Sequence, residues 1–426
     1  MRSFFMMRQV FDKVFPWLWA AVWFTLPVSL KASGASLLLF GLAAVAHALL
    51  NKPVPDRWQW ILAGLMVLLF AWHAVSLAFD PGSFAPWKSL ERKLSLIVIP
   101  VIMLLIAGTR HDLGKWALCG FFAGLAVTGL HMLVLVLVKI LAGKPPDAYT
   151  YHAFTGPYTL GAIYFSFYLS VALYCLAFLK LETFMAKYRL PLGLFFLVLM
   201  LFCASKLFIL LSVPAIIQPV VKDFQVKRGL RRFILPLVTL AVLIGGSVPL
   251  FNRISELKNT DLNVVSQESY RYDTPLNGLT FRMVLWRFAG RIMQDEQVWL
   301  TGTGIGSRQQ VLDRYYQNFG IYTGNPDLGD TGYLGYNFHN QYLEIMVGTG
   351  IPGLLLLLAV IIFVFKIQKR ALFFPFMVYI LIFIFFITES VLERQAGLVF
   401  VCLLWTLPGD QIHTPELNKK WKLHRP

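Results

Sequence analysis

Tyr336-Asn337-Phe338-His339-Asn340-Gln341-Tyr342-Leu343-Glu344 leads into Gly350-Ile351-Pro352-Gly353, and then into an apolar run that lasts to about residue 365. A polar patch carrying a histidine and a carboxylate thus opens directly into a segment long enough to cross a bilayer, which takes about 20 apolar residues. This juncture decides the fold reading: the chain is membrane span with polar chemistry at its boundaries. His339 could simply cap the span that follows. Its neighbours Asn340, Tyr342 and Glu344 argue for chemistry, because histidine is the side chain suited to proton transfer near neutral pH.

Working outward, 57% of the 426 residues are hydrophobic and only 14% are charged, against about a quarter charged in a soluble domain. The apolar runs are continuous, which excludes the alternating pattern of a β-barrel. The pattern predicts an all-α polytopic membrane protein with about twelve transmembrane helices and one large, partly helical external loop. Residues 1–251 hold spans one to nine, 252–340 the loop domain, 341–408 spans ten to twelve, and 409–426 a tail. Spans four, seven and twelve are short for a crossing. The first apolar run reads as a retained span, since no small-residue cleavage site follows it. The formal charge of +16 comes mostly from short loops such as 222–232. That bias places both termini in the cytoplasm and argues against a nucleic-acid partner. The halves show no repeat, which weighs against inverted-repeat transporters. Cys119, Cys175, Cys203 and Cys402 lie singly in apolar runs and read as small buried hydrophobes.

The loop 252–340 carries an amphipathic stretch in which Arg282 and Trp286 lie four apart, with Arg287 and Arg291 on a second row. Thr301-Gly302-Thr303-Gly304-Ile305-Gly306 lacks the Lys-Ser/Thr of a phosphate loop and reads as a structural turn. Asp327 and Asp330 alone make too weak a set for a metal, and no metal or cofactor is expected. Arg92, Lys93, Lys206, Arg282 and Arg287 fall on the external side, where cations are sparse. Lys206 sits in a tight turn between two apolar runs, where an ionisable group is functional by default. A pyrophosphate at the bilayer surface needs such groups: arginine binds it bidentately and lysine as a point charge. His152 ranks second among the external histidines.

Several of these segments together resemble the bacterial O-antigen ligases, within the broader O-antigen ligase/polymerase family. His339-Asn340 followed after nine residues by Gly350-Ile351-Pro352-Gly353 is similar to the family signature. Arg282 to Trp286 with Gly302-Thr303-Gly304, Phe154-Thr155-Gly156-Pro157, and Ser205-Lys206 resemble three further segments. The likeness spans roughly residues 153–353. Lys206 stands where the family carries an arginine, and Gly156 and Tyr158 stand where it carries asparagines. The resemblance implies a metal-independent, GT-C-like glycosyltransferase of the bacterial inner membrane with a periplasmic active site. It implies transfer of O-antigen from undecaprenyl diphosphate to a sugar hydroxyl of lipid A-core in lipopolysaccharide biosynthesis. His339 is then the general base. Arg282, Lys206, Arg92, Lys93 and Arg287 bind the donor diphosphate, and Asn340, Tyr342, Glu344, Glu389, Glu393 and His152 support. An O-antigen polymerase, a protein O-oligosaccharyltransferase and a lipid-linked glycan transporter are the alternatives.

Overall fold

The computed structural model describes residues 2–80, 86–109, 112–158, 160–179, 186–224, 261–271, 274–325, 327, 329–368 and 373–407. The expected ninth span at 233–250, the greater part of the basic loop 222–232 and the tail 409–426 lie outside the described residues. In chain order the helices are α1 (Arg2–Val28), α2 (Leu30–Asn51), α3 (Arg57–Ser76), α4 (Pro86–Glu91), α5 (Ser95–Leu105), α6 (Leu113–Leu141), α7 (His152–Thr155) and α8 (Ala162–Phe178). Then come α9 (Arg189–Cys203), α10 (Lys206–Phe224), α11 (Gly278–Asp295), α12 (Arg308–Asn318), α13 (Gln341–Gln368), α14 (Phe373–Thr388) and α15 (Gln395–Thr406). No strand occurs among the described residues.

Leu30–Asn51, Arg57–Phe79, Leu113–Leu141 and Gln341–Ile367 are long and apolar enough to cross a membrane. Ala162–Phe178, Arg189–Cys203, Lys206–Gln218, Phe376–Thr388 and Gln395–Thr406 are apolar but shorter. Two of the short helices occupy the middle of the bundle. In α8 every residue from Tyr164 to Ala177 is buried, and in α15 every residue from Ala396 to Leu403. A helix that is apolar all round belongs at a core. The serines of α8 are satisfied: the Ser166 and Ser170 hydroxyls donate to the carbonyls of Ala162 and Ser166, and the Ser212 hydroxyl of α10 donates to Ser170 Oγ. Longer helices instead turn leucines outward, among them Leu38, Leu130, Leu137 and Leu355. Apolar side chains facing away from the core suit a lipid environment.

The stretch Gly350–Gly353 breaks α13. Gly350 has φ 72° and ψ −177°, a backbone region open essentially to glycine. A break in a helix strands N–H and C=O groups that need partners. The Ile351 N–H donates to Trp299 O at 2.8 Å, Thr303 N–H to Val347 O at 2.8 Å, and Trp72 Nε1–H to Thr349 O at 2.8 Å. The glycine-rich turn after Trp299 is therefore the clamp on the broken helix. A Cβ on Gly302 would collide with the backbone at Gly348 and Thr349, so close approach needs glycine there.

The loop region has a core of its own. Phe281, Val284, Leu285 and Phe288 of α11 pack on Leu312, Tyr315 and Tyr316 of α12, with Phe338 and Val347 joining them. Asn277 caps α11, its Oδ1 accepting the N–H groups of Leu279 and Thr280. The first turns of α13 serve both cores: Ile345 faces the helical bundle while Val347 faces the loop. The boundary drawn at residue 340 falls at the start of this helix, whose first turns pack against both parts.

Candidate active site

The segment between α14 and α15 anchors the site. Gln341 Oε1 accepts the Leu392 N–H at 2.6 Å, and Ser390 Oγ donates to Glu344 Oε2 at 2.8 Å, so the start of α13 holds this segment in place. Two carboxylates projecting from it, Glu389 and Glu393, each organise an ionic chain.

The first chain runs through Glu389. His339 Nδ1 lies 3.0 Å from Glu389 Oε2, and Arg282 Nη2 donates to Glu389 Oε1 at 3.0 Å. Arg282 Nε also donates to Thr388 O at 3.2 Å and Nη1 to Gly278 O at 3.0 Å. Three donors are thus used of the five a guanidinium carries. Glu389 is 7% exposed, whereas the side chains of His339 and Arg282 are 21% and 30% exposed. Burial alone raises the Glu389 carboxyl. The hydrogen bond and charge of His339, with the charge of Arg282, outweigh it and hold the group below the usual carboxylate range. Glu389 is therefore ionised at neutral pH and can only accept, which places the imidazole proton on Nδ1 and leaves Nε2 basic.

His339 is held under strain. Its φ is 45°, a left-handed conformation uncommon outside glycine. Asn337 Oδ1 accepts the His339 N–H at 3.0 Å on one side. On the other, Asn340 caps α13, its Oδ1 accepting from Tyr342 N–H at 3.0 Å and Leu343 N–H at 3.1 Å. The side-chain oxygen of Asn340 is thus engaged in holding the helix start. Tyr342 donates its hydroxyl to Phe383 O at 3.3 Å and ties α13 to α14.

His339, Glu389 and Arg282 lie on the wall of a cavity of about 730 Å³, a size ordinary for a ligand site. His152, Gly156 and Tyr158 also line this cavity. Tyr151, beside them, has φ 54°. A second cavity of about 460 Å³ adjoins the first, sharing Gly161, Tyr164, Gly335, Asn337 and Arg394 as wall residues.

The second chain is buried. Lys93 Nζ contacts Glu393 Oε1 at 2.5 Å and donates to Leu392 O at 2.8 Å. Arg308 Nη2 donates to Glu393 Oε2 at 3.0 Å, and its Nε lies 2.6 Å from Glu344 Oε1. Glu344 Oε2 also accepts the Phe338 N–H at 3.1 Å. Burial would raise Glu393, but the charges of Arg308 and Lys93 drive it far below the usual range. Lys93 and Glu344 are each 1% exposed and each has its partners, so their chemistry is spent on holding the fold.

The remaining expected cations are dispersed. Arg287 donates to Glu268, Val265 O and Gln267 O, and its guanidinium sits over the Phe319 ring, on the loop domain. Lys206 begins α10 just beyond Phe202, whose carbonyl accepts the Tyr151 N–H at 2.8 Å. It is not among the residues lining the larger cavity. Arg92 lines the smaller cavity rather than the one that holds His339. One cation escaped the sequence reading: Arg394 lines both cavities. Its only signal was its place in a short polar segment between two apolar runs.

Fold and site define a class: a multi-pass helical membrane protein with a histidine–carboxylate–arginine chain beside a polar cavity. Residues 192–358 match the family model for O-antigen ligase, which supports membership of that family. The matched segment takes in Lys206, Arg282, His339 and the break at Gly350, while Arg92, His152, Glu389 and Arg394 lie outside it. No curated protein matches the chain.

Proposed function

We propose that the protein is an O-antigen ligase, a glycosyltransferase that moves polysaccharide from undecaprenyl diphosphate to a sugar hydroxyl of lipid A-core. It acts at the periplasmic face of the bacterial inner membrane, with about twelve spans, both termini cytoplasmic and residues 252–340 forming the periplasmic domain. The supporting observation is the His339–Glu389–Arg282 chain on the wall of a cavity large enough for sugars.

In this reading Glu389 accepts the Nδ1–H of His339 and fixes the ring, as the carboxylate does in a hydrolase triad. Nε2 then takes the proton of the acceptor hydroxyl. The hydroxyl oxygen attacks the anomeric carbon of the donor as the bond to the diphosphate oxygen breaks. The departing electron pair is carried off on the diphosphate. Arg282, with two N–H donors unspent, meets that growing charge, which accounts for leaving-group stabilisation without a metal. Attack opposite the diphosphate inverts the anomeric centre. The strain at His339 fits a side chain positioned for reaction.

The test is reconstitution of the full chain in liposomes with lipid-linked glycan and lipid A-core. Glycan is expected on lipid A-core from the wild type and not from His339→Ala, with donor still bound by the variant. Lengthened lipid-linked chains would instead mark a polymerase, and product on a serine or threonine peptide a protein oligosaccharyltransferase. Donor movement across the bilayer without transfer would mark a transporter.

A further inference from the structure

The smaller cavity carries charge that the reaction above does not use. Its wall includes Arg92, Arg308, Arg394, Glu344 and Glu393. Arg308 is bound to both carboxylates, and Lys93 behind them binds Glu393 as well. Lys93 and Arg308 against Glu344 and Glu393 make two cations and two carboxylates, a balanced set. That leaves Arg92 and Arg394. Among the described residues the Arg92 guanidinium reaches Lys88 O and Ser89 Oγ of its own turn, both at 3.4 Å. The Arg394 guanidinium has no hydrogen bond or ion pair among the described residues, and both side chains are exposed. Two arginines without a counter-charge face one 460 Å³ space.

Position says what that space is for. It joins the larger cavity along Asn337, whose Oδ1 holds the His339 backbone, and along Arg394, in the same short segment as Glu389. A general base between two substrates has the donor on one side and the acceptor on the other. Arg282, bonded to Glu389, puts the donor diphosphate in the larger cavity. The acceptor is then left with the smaller one. A neutral glycan can offer two bare guanidinium groups only ordinary hydrogen-bond acceptors, whereas a phosphate or carboxylate offsets their charge and accepts stronger, forked N–H bonds from them.

We propose that Arg92 and Arg394 form a subsite for an anionic group, phosphate or carboxylate, carried on the acceptor glycan. The inference rests on the ligase reading for the word acceptor; the anion site itself rests on the geometry.

The experiment pairs a binding arm with a turnover arm. Phosphorylated core oligosaccharide, freed of lipid, is titrated into the detergent-solubilised full chain and into Arg394→Gln, Arg92→Gln and the double variant. Affinity is expected to drop about tenfold to a hundredfold in the variants, the range for charge-assisted hydrogen bonds. The loss vanishes with dephosphorylated oligosaccharide if phosphate is the group read, and with carboxyl-reduced oligosaccharide if carboxylate is. In turnover, KM for lipid A-core rises in Arg394→Gln, while KM for the donor and kcat at saturating acceptor hold within about twofold. Equal binding by wild type and the folded variants overturns the subsite. A rise in donor KM with acceptor KM unchanged overturns it too, by giving these arginines to the donor diphosphate. Arginine-dependent binding with no transfer to lipid A-core by the wild type keeps the subsite and sinks the ligase reading instead.

Discussion

Lys93, Glu393, Arg308 and Glu344 form one ionic chain, and Arg282, Glu389 and His339 form another; both hang on the segment between α14 and α15. The residue types are nearly the same. Their surroundings are not. In the first chain both carboxylates are shared between cations or held by backbone and hydroxyl donors, and the ions are almost wholly buried. In the second, the arginine keeps donors to spare, the imidazole keeps a free nitrogen, and both face a cavity. Saturation and burial thus separate a closed ion network from one open to a cavity. A buried network is worth little over apolar packing, but breaking it is costly. An open one can exchange partners with a substrate.

The sharpest way to break this contrast is to cut each chain once. His339→Ala is expected to lower transfer by about 10²- to 10⁴-fold, the range for loss of a positioned general base. The thermal midpoint should move by only a few degrees, because the imidazole is partly exposed and makes a single side-chain hydrogen bond, to Glu389. Arg308→Met should do the reverse to stability. It leaves Glu344 and Glu393 buried without their shared cation, at a cost of about 3–5 kcal/mol in the folded state. Thermal unfolding in detergent and the yield of monodisperse protein read that loss. Similar melting of the two variants would erase the division drawn here.

Much of the contrast was invisible in the chain as text. His339, Arg282 and Glu389 could be suspected, since charged and titratable groups stand out at span boundaries. Lys93 and Arg92 are adjacent and look equivalent on paper. Their side chains point opposite ways, Lys93 into the helix interface and Arg92 into the cavity, and only packing decides that. Glu344 sits one helical turn into α13 beside the histidine motif, yet faces Arg308 from the loop domain. Long-range partners of this kind leave no local signal. The apolar helices were legible because hydropathy is local. The central place of α8 and α15 was hinted at only by the shortness of span twelve.

The break in α13 ties the two regions together, and Gly350→Ala tests it. At φ 72° and ψ −177° a Cβ costs about 1–3 kcal/mol. It would also run into the Leu300 carbonyl, part of the turn that clamps the break. The expected result is a lowered thermal midpoint together with a several-fold loss of transfer, since the loop domain that carries Arg282 would lose its seat on α13. A drop in stability alone would mean the clamp does not position the site.

The smallest effect is in acid, and it asks whether His339 and Glu389 are coupled at all. Burial by itself raises the Glu389 carboxyl; the His339 hydrogen bond and charge, then Arg282, bring it below its usual range. A carboxyl depressed by folding contributes its full stability above its unfolded value, about 4.3, and loses it as pH falls through the lower folded value. Removing His339 takes away the largest of the effects that depress it. In His339→Ala the folded value moves up toward the unfolded one, so this contribution shrinks at neutral pH, by about 1.4 kcal/mol for each pH unit of movement. Glu393, whose partners are Arg308 and Lys93, keeps its own acid limb in both proteins. Thermal midpoints measured from pH 7 to pH 3 should therefore converge as acidity increases, the wild type giving up an advantage that the variant lacks. Curves that stay parallel across that range would show that Glu389 owes its charge to Arg282 alone, and would remove the orienting role given to it.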